Sequence, residues 1–237
     1  MLRVYKGFDI EKIHEWKSPT YSGAPLITMP NIPKPLHGIN PRTLMGEEEW
    51  DRLRMKCYSE SSYKCEICGA LLDDKSIQLH ELYTISRKEK YALFERFIPV
   101  CILCHNGIHS GRSISLYRNK NLIFTKDYIL KIVEHCFALI GNYNKENNTD
   151  YRLYHTFLKY LYFPELEQEV RELIAKYNIH FYDWQGALGK WSSWKLIYNG
   201  KEYYSPYADS EAWKEAMQHH NSTGKDRLRQ FNNMRLE

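Results

Sequence analysis

The sequence predicts an α+β protein, and three observations carry that expectation. Two Cys-x2-Cys pairs, Cys65–Cys68 and Cys101–Cys104, bracket Ile77-Gln-Leu-His80-Glu81-Leu-Tyr83, where apolar and polar residues alternate with the period of a strand. The second pair runs directly into His105-Asn-Gly-Ile-His109, which reads as the start of a helix. Farther along, apolar residues recur at helical spacing, and Asn199-Gly200 joins two aromatic runs as a hairpin turn would.

Taken in order, residues 19–41 carry six prolines, which block helix interiors and central strands. They predict an extended arm that either straps the core or reaches for a ligand. Gly46-Glu-Glu-Glu-Trp50 places three acids where a helix N-terminus favours negative charge, so a helix is expected over 47–58. Ser115–Phe124 reads as a short hairpin turned at Asn119–Asn121. Over Asp127–Ile140 the residues Ile129, Ile132, Val133, Cys136, Phe137 and Ile140 form one apolar helix face. The polar stretch 141–150 reads as a linker and sub-domain boundary. Helices are expected over Tyr151–Tyr162 and Glu165–Tyr177, separated at Pro164, then the Asn199-Gly200 hairpin, a helix over Asp209–His219, and a polar, basic tail. The organisation that follows is an arm over 1–45, a core with flanking helices over 46–140, and a helical and β-hairpin accessory region over 141–237.

Bulk properties restrict the function classes. With 43% hydrophobic and 14% aromatic residues in a chain of 237, a folded globular protein is expected and a disordered one excluded. The net charge of +4 is compatible with a polyanionic partner without demanding one. No apolar run reaches the length of a membrane span, and the opening residues lack a signal-peptide core. A cytoplasmic setting is therefore the expectation, the host cytoplasm if the chain is viral. In that setting thiols stay reduced, so the close cysteine pairs read as metal ligands. Cys57 and Cys136 are left over and read as small buried hydrophobes.

Each knuckle places two thiolates on one tight turn, and two such turns supply the four soft ligands of a closed tetrahedral zinc site. Gly69, directly after the first knuckle, suits the open backbone of such a turn. A closed site leaves no position for water, so this zinc is expected to be a fold element. The alternative is four ordinary buried cysteines. His105 and His109, at i and i+4, share a helix face and can grip a second ion. The zinc would close the strand carrying His80 and Glu81 against that helix. Taken alone, His80 is as readily a surface or core histidine.

Cys65–Cys68, Leu79-His80-Glu81, Pro99-Val-Cys101, Cys104-His105 and Ile108-His109 resemble the HNH endonuclease family, in particular its four-cysteine zinc members, many of them from phages. The match covers about residues 50–112, and Asn40-Pro-Arg42, Trp50 and the Trp194–Gly200 hairpin resemble them more loosely. The resemblance implies a ββα-metal core and hydrolysis of DNA phosphodiesters to 5′-phosphate and 3′-hydroxyl ends, with Mg²⁺ or Mn²⁺ as the catalytic ion. It assigns His105 and His109 to that ion. The family's strand pair is a metal ligand followed by a general base. In strict register His80 is the ligand and Glu81 the base, whereas slipped by one residue His80 is the base. The framework asparagine of the family falls near Arg96 or Phe97, and neither is asparagine.

Arg87, Lys88 and Lys90, with Arg112, Arg118 and Lys120, flank these residues and either contact DNA phosphates or form a solvated face. Tyr203, Tyr204 and Trp213 either stack on bases or pack in a core. The alternative to a DNA nuclease is a zinc-dependent DNA-binding module without catalysis, and a third reading is a structural zinc protein that mediates protein contacts.

Overall fold

The structure, a computed structural model, describes residues 20–21, 23–73, 76–182 and 190–222. The opening residues 1–19 and the polar tail over 223–237 lie outside the described residues. The chain opens with the ribbon β1 (Thr20–Tyr21) and β2 (Ala24–Pro25), then two single 3-10 turns at Leu26–Thr28 and Lys34–Leu36. The helices α1 (Pro41–Met45) and α2 (Glu47–Glu60) follow, then the long strands β3 (Ile77–Ser86) and β4 (Tyr91–Cys101). Next come α3 (Ile102–Ile108), α4 (Ser110–Arg118) and α5 (Lys126–Asn147). The last part holds β5 (Leu153–Tyr154), a 3-10 segment His155–Tyr162, α6 (Pro164–Tyr177), β6 (Phe181–Tyr182), β7 (Lys195–Tyr198), β8 (Lys201–Tyr204) and α7 (Ser210–Ser222). The expected mixture of α and β structure is present. No helix among the described residues is long and apolar enough to cross a membrane.

The main sheet has the order β3-β4-β7-β8. The short turn 87–90 between β3 and β4 requires an antiparallel pair. β7 joins β4 in parallel, Tyr91 opposite Lys195 and Leu93 opposite Ile197, and β8 returns antiparallel with Leu196 opposite Tyr203. The β7–β8 turn is as expected: Asn199 and Gly200 have φ of 50° and 73°, the positive values a type I′ turn needs.

The chain divides into two compact units. One comprises Met1–Asn31, Arg54–Leu82 and Phe97–Trp184, and the other Ile32–Leu53, Tyr83–Arg96 and Gln185–Glu237. The core of the first is built on α5, whose Ile129, Ile132, Val133, Phe137 and Ile140 are wholly buried. Phe137 meets Phe157 and Phe181 edge to face or tilted, at centroid separations of 5.5 and 6.1 Å. The arm contributes Leu26, Ile27 and Met29, all buried, and its first 3-10 turn packs on α3 and α5. It is a strap there. The core of the second unit gathers Leu36, Ile39, Tyr83, Ala92, Trp194 and Leu196. Tyr203 packs against that cluster, and Trp213 lies between His37, at 5.6 Å, and Lys34, whose Nζ is 4.9 Å from the ring centre. Both are packing residues here, while Tyr204 stays exposed and donates to Glu202 at 2.8 Å.

Three expectations are corrected. Ser115–Phe124 is not a hairpin, because helix α4 runs through Arg118 with Ser110, Ser113 and Ile114 buried at i, i+3 and i+4. The turn read at Asn119–Asn121 is real but ends a helix. Lys120 has φ 52°, and the Lys120 and Asn121 amides donate back to the Tyr117 and Leu116 carbonyls at 2.9 and 3.0 Å. The polar stretch 141–150 is not a linker over most of its length, since α5 continues to Asn147 and closes on Asn148 in the left-handed conformation. A Cβ on Gly141 would stand 2.5 Å from the Tyr177 carbonyl, so α5 and the end of α6 are in close backbone contact in this stretch. An exposed helix end is polar and so mimics a loop in composition. Residues 151–162, expected as one α-helix, form β5 and a 3-10 segment, while α6 begins at Pro164 as expected.

Candidate metal centre and histidine cluster

The first knuckle is a turn closed by local hydrogen bonds. The Gly69 amide donates to the Cys65 carbonyl at 2.8 Å, and the Cys65 amide to the Ala70 carbonyl at 2.9 Å. Gly69 sits at φ 74°, where a side chain would be strained, so the expectation from its position is met. The Glu66 amide donates to the Pro99 carbonyl at 2.9 Å, which ties this turn to the end of β4. The second knuckle is the start of α3. Cys101 is its N-cap, and the Sγ atom accepts the Cys104 amide at 3.3 Å.

All four thiols are buried, and their sulfurs lie within 4.8 Å of one another, a group that could hold a metal ion. The donor set fits the test of geometry. A tetrahedral ion with metal–sulfur bonds of about 2.3 Å places its sulfurs about 3.8 Å apart. The Cys68 and Cys101 sulfurs are 3.7 Å apart, far beyond disulfide bonding. Burial pushes the Cys101 and Cys104 thiols well above their ordinary range. At Cys65 burial pushes the same way, but hydrogen bonds from Cys101, Cys104 and Cys68 outweigh it and hold the thiol well below that range. Such a set releases protons when a cation arrives.

His135 was not visible as a site residue in the sequence. It sits on the apolar face of α5 beside Cys136, is 1% exposed, and places Nε2 3.0 Å from the Cys104 sulfur and 4.0 Å from that of Cys101. Burial lowers its pKa to about 4, against the opposing effect of Cys65. A neutral ring with Nε2–H can therefore donate to a thiolate. The only signal in the sequence was a polar residue on an otherwise apolar helix face.

His80, His105 and His109 come together. Their ring centres are 5.6 Å apart for His80 and His105, 4.9 Å for His80 and His109, and 4.7 Å for His105 and His109. His80 is 3% exposed, and its Nδ1 is 2.8 Å from the Glu81 carbonyl. Only Nδ1–H can serve that acceptor, so Nε2 carries the lone pair, and Nε2 is buried without a hydrogen-bond partner. Burial, then the neighbouring His109 and His105, hold His80 well below the ordinary histidine range. Burial, His109 and Arg112 bring His105 down to about 3. Both rings are neutral at pH 7 and able to offer lone pairs. Among the described residues only the four thiols are already gathered around one point, so with His80 held by the Glu81 carbonyl it is the His105 and His109 rings that must turn for the three to converge on an ion.

Helix α3 ends just before His109, which links α3 to α4 at φ −90° and ψ 37°. Two contacts fix α3 on α5. The Asn106 amide donates to the Tyr128 hydroxyl at 3.0 Å, and a Cβ on Gly107 would stand only 2.1 Å from the Cys136 sulfur. Cys136 is thus a packing residue, as expected, and Cys57 is half-buried on α2. Glu81 is next to His80 on β3, and strand alternation directs its side chain to the opposite face. Arg112 lies exposed in the first turn of α4, near enough to His105 to affect its titration. Arg118 is two turns on, 6.0 Å from the Phe163 ring centre, and Lys120 follows in the exposed turn. Arg87 and Lys88 are exposed in the β3–β4 turn of the other unit, where Lys90 donates to Ser193 at 3.1 Å.

No family model, curated protein or solved structure matches the chain.

Proposed function

We propose that the chain is a metal-dependent DNA endonuclease built around a structural zinc. Cys65, Cys68, Cys101 and Cys104 hold the zinc, which fixes where α3 leaves β4 and therefore where His105 and His109 point. His80, His105 and His109 receive a second, hard divalent ion, Mg²⁺ or Mn²⁺. The observation that carries this reading is the bare, buried Nε2 of His80 in a ring that lies 5.6 and 4.9 Å, centre to centre, from the imidazoles of His105 and His109. Histidines that serve metals or abstract protons are held this way, with the other ring nitrogen donating to a carbonyl. When bound, the ion supplies charge neutralisation at the scissile phosphate and the departing 3′-oxygen. His80 reacts through Nε2 as ligand or as proton acceptor, its ring orientation fixed by the Glu81 carbonyl. Arg112 is placed to meet a backbone phosphate beside the histidines.

A nicking assay on supercoiled plasmid, with Mg²⁺, Mn²⁺ or EDTA, tests the reading. Ion-dependent nicking that disappears in His109→Ala, with zinc content and the thermal transition retained, is the expected result. Wild-type cutting by that variant would place the ion elsewhere. A second reading, a DNA-binding module without catalysis, is favoured by one observation: Glu81, the base in strict register, is directed by strand alternation to the face opposite His80. Salt-dependent DNA binding with no nicking under any ion would establish it.

A further inference from the structure

The break between α3 and α4 frees a backbone group beside the histidines. In an unbroken helix the Ile108 carbonyl would accept the Arg112 amide, four residues on. Here the Arg112 amide donates instead to the His109 carbonyl at 2.8 Å, and the Ser113 amide to the same oxygen at 3.1 Å. The Ile108 carbonyl is buried with its residue and needs another donor. It receives one from far away in sequence. The side-chain amide of Asn31, in the proline-rich arm, donates Nδ2–H to the Ile108 oxygen at 2.5 Å. A flipped amide would set oxygen against oxygen, so the hydrogen bond itself fixes the orientation. The other end of the same amide, Oδ1, is buried and has no hydrogen-bond partner. Buried acceptors are rarely left so.

We propose that Asn31 is a positioning residue of the histidine site. Its amide pins the kink at His109 by capping the carbonyl that the kink releases, and its Oδ1 accepts a hydrogen bond from water brought in with the bound ion. The arm is then more than a strap, because its Asn31 sets the direction of a ligand 78 positions later in the chain. The effect on the ion rests on the metal reading proposed above, whereas the hold on His109 does not.

The test uses the full-length, zinc-loaded protein, with Asn31→Leu, which removes both polar groups at similar size, and Asn31→Asp, which keeps the acceptor and loses the donor. Two quantities are read: the His109 ring resonances by NMR without added ion, and the affinity for Mn²⁺. Outer partners of metal ligands typically contribute 10–100-fold in affinity. Both variants are expected to move the His109 resonances and to leave zinc content unchanged, and Asn31→Leu, which loses the acceptor, to weaken Mn²⁺ binding about tenfold or more. Unmoved His109 resonances in either folded variant would overturn the proposal, as would wild-type Mn²⁺ affinity in Asn31→Leu. A wild-type protein that binds no Mn²⁺ sinks the metal reading and the Oδ1 role with it, while the His109 resonances still report on the kink. If Asn31→Leu does not fold, Asn31→Asp carries the test.

Discussion

Gly107→Ala should separate α3 from α5 and destabilise the protein, although alanine is the better helix former. The propensity gain alone would stabilise by about 1 kcal/mol. Against it stands the 2.1 Å between the new Cβ and the Cys136 sulfur, where non-bonded heavy atoms rest about 3.5–4 Å apart. The helices must part by about 1.5 Å or Cys136 must rotate into a filled core, because it is wholly buried. Overpacking of this kind costs about 1–3 kcal/mol, and a 2.1 Å approach in a filled core puts it in the upper half of that range, so a net loss of about 1–2 kcal/mol is expected. Cys136→Ala tests the cause. It removes the sulfur, and the next Cys136 atom, Cβ, lies 3.7 Å from the new methyl, an ordinary contact. Cys136→Ala alone should cost about 1 kcal/mol for the lost packing. The double variant should then be more stable than Gly107→Ala by itself, a coupling of about 2 kcal/mol of opposite sign to the single losses. Urea unfolding at one fixed zinc concentration measures all four proteins, since free zinc shifts the apparent stability. Nicking should fall and recover in parallel, because α3 carries His105 and leads into His109. Gly107→Ala at or above wild-type stability, or additive losses in the double variant, would refute the reasoning.

Three further predictions follow from the site and the second unit. Elemental analysis of protein purified without chelator should find one zinc per chain, with Cys101→Ser losing it and unfolding, because structural zinc contributes about 10 kcal/mol or more; His135→Leu should keep the zinc but release it faster to a chelator. His80→Ala should lose on the order of a hundredfold or more in single-turnover cutting with Mg²⁺, and Glu81→Gln about as much only if Glu81 is the base; wild-type activity in His80→Ala would remove both registers. His37 should make the fold acid-sensitive. Burial and Lys34 lower its pKa from 6.5 to about 4. The unfolded chain therefore binds the proton first, and the contribution is complete above pH 6.5 and lost as pH falls toward 4. It amounts to at most ~3 kcal/mol, the ring being partly exposed. His37→Gln should flatten the fall of stability across that window, and an unchanged slope would exclude His37 as its source.

The parts legible in the sequence are those whose causes lie within a few residues of their effects. The knuckles depend on thiols with two residues between them and on Gly69, the start of α3 on Cys101, and the β7–β8 turn on two adjacent residues that tolerate positive φ. The three histidines were legible because two lie on one helical stretch and the third on the strand the knuckles enclose. What tertiary structure decided is which distant residues meet. Nothing local pairs Tyr91 with Lys195, sets His135 against Cys104, seats Cys136 on the bare face of Gly107, or carries Asn31 to the Ile108 carbonyl. The misread stretches have the same origin. Residues 115–124 and 141–150 carry turn-like polar composition, yet each lies largely in or at the end of a helix because one face meets a packed neighbour. Burial chooses such partners from the whole chain, and a freed carbonyl or a buried sulfur takes whatever donor the packing delivers. Composition and periodicity describe only the face that each segment offers.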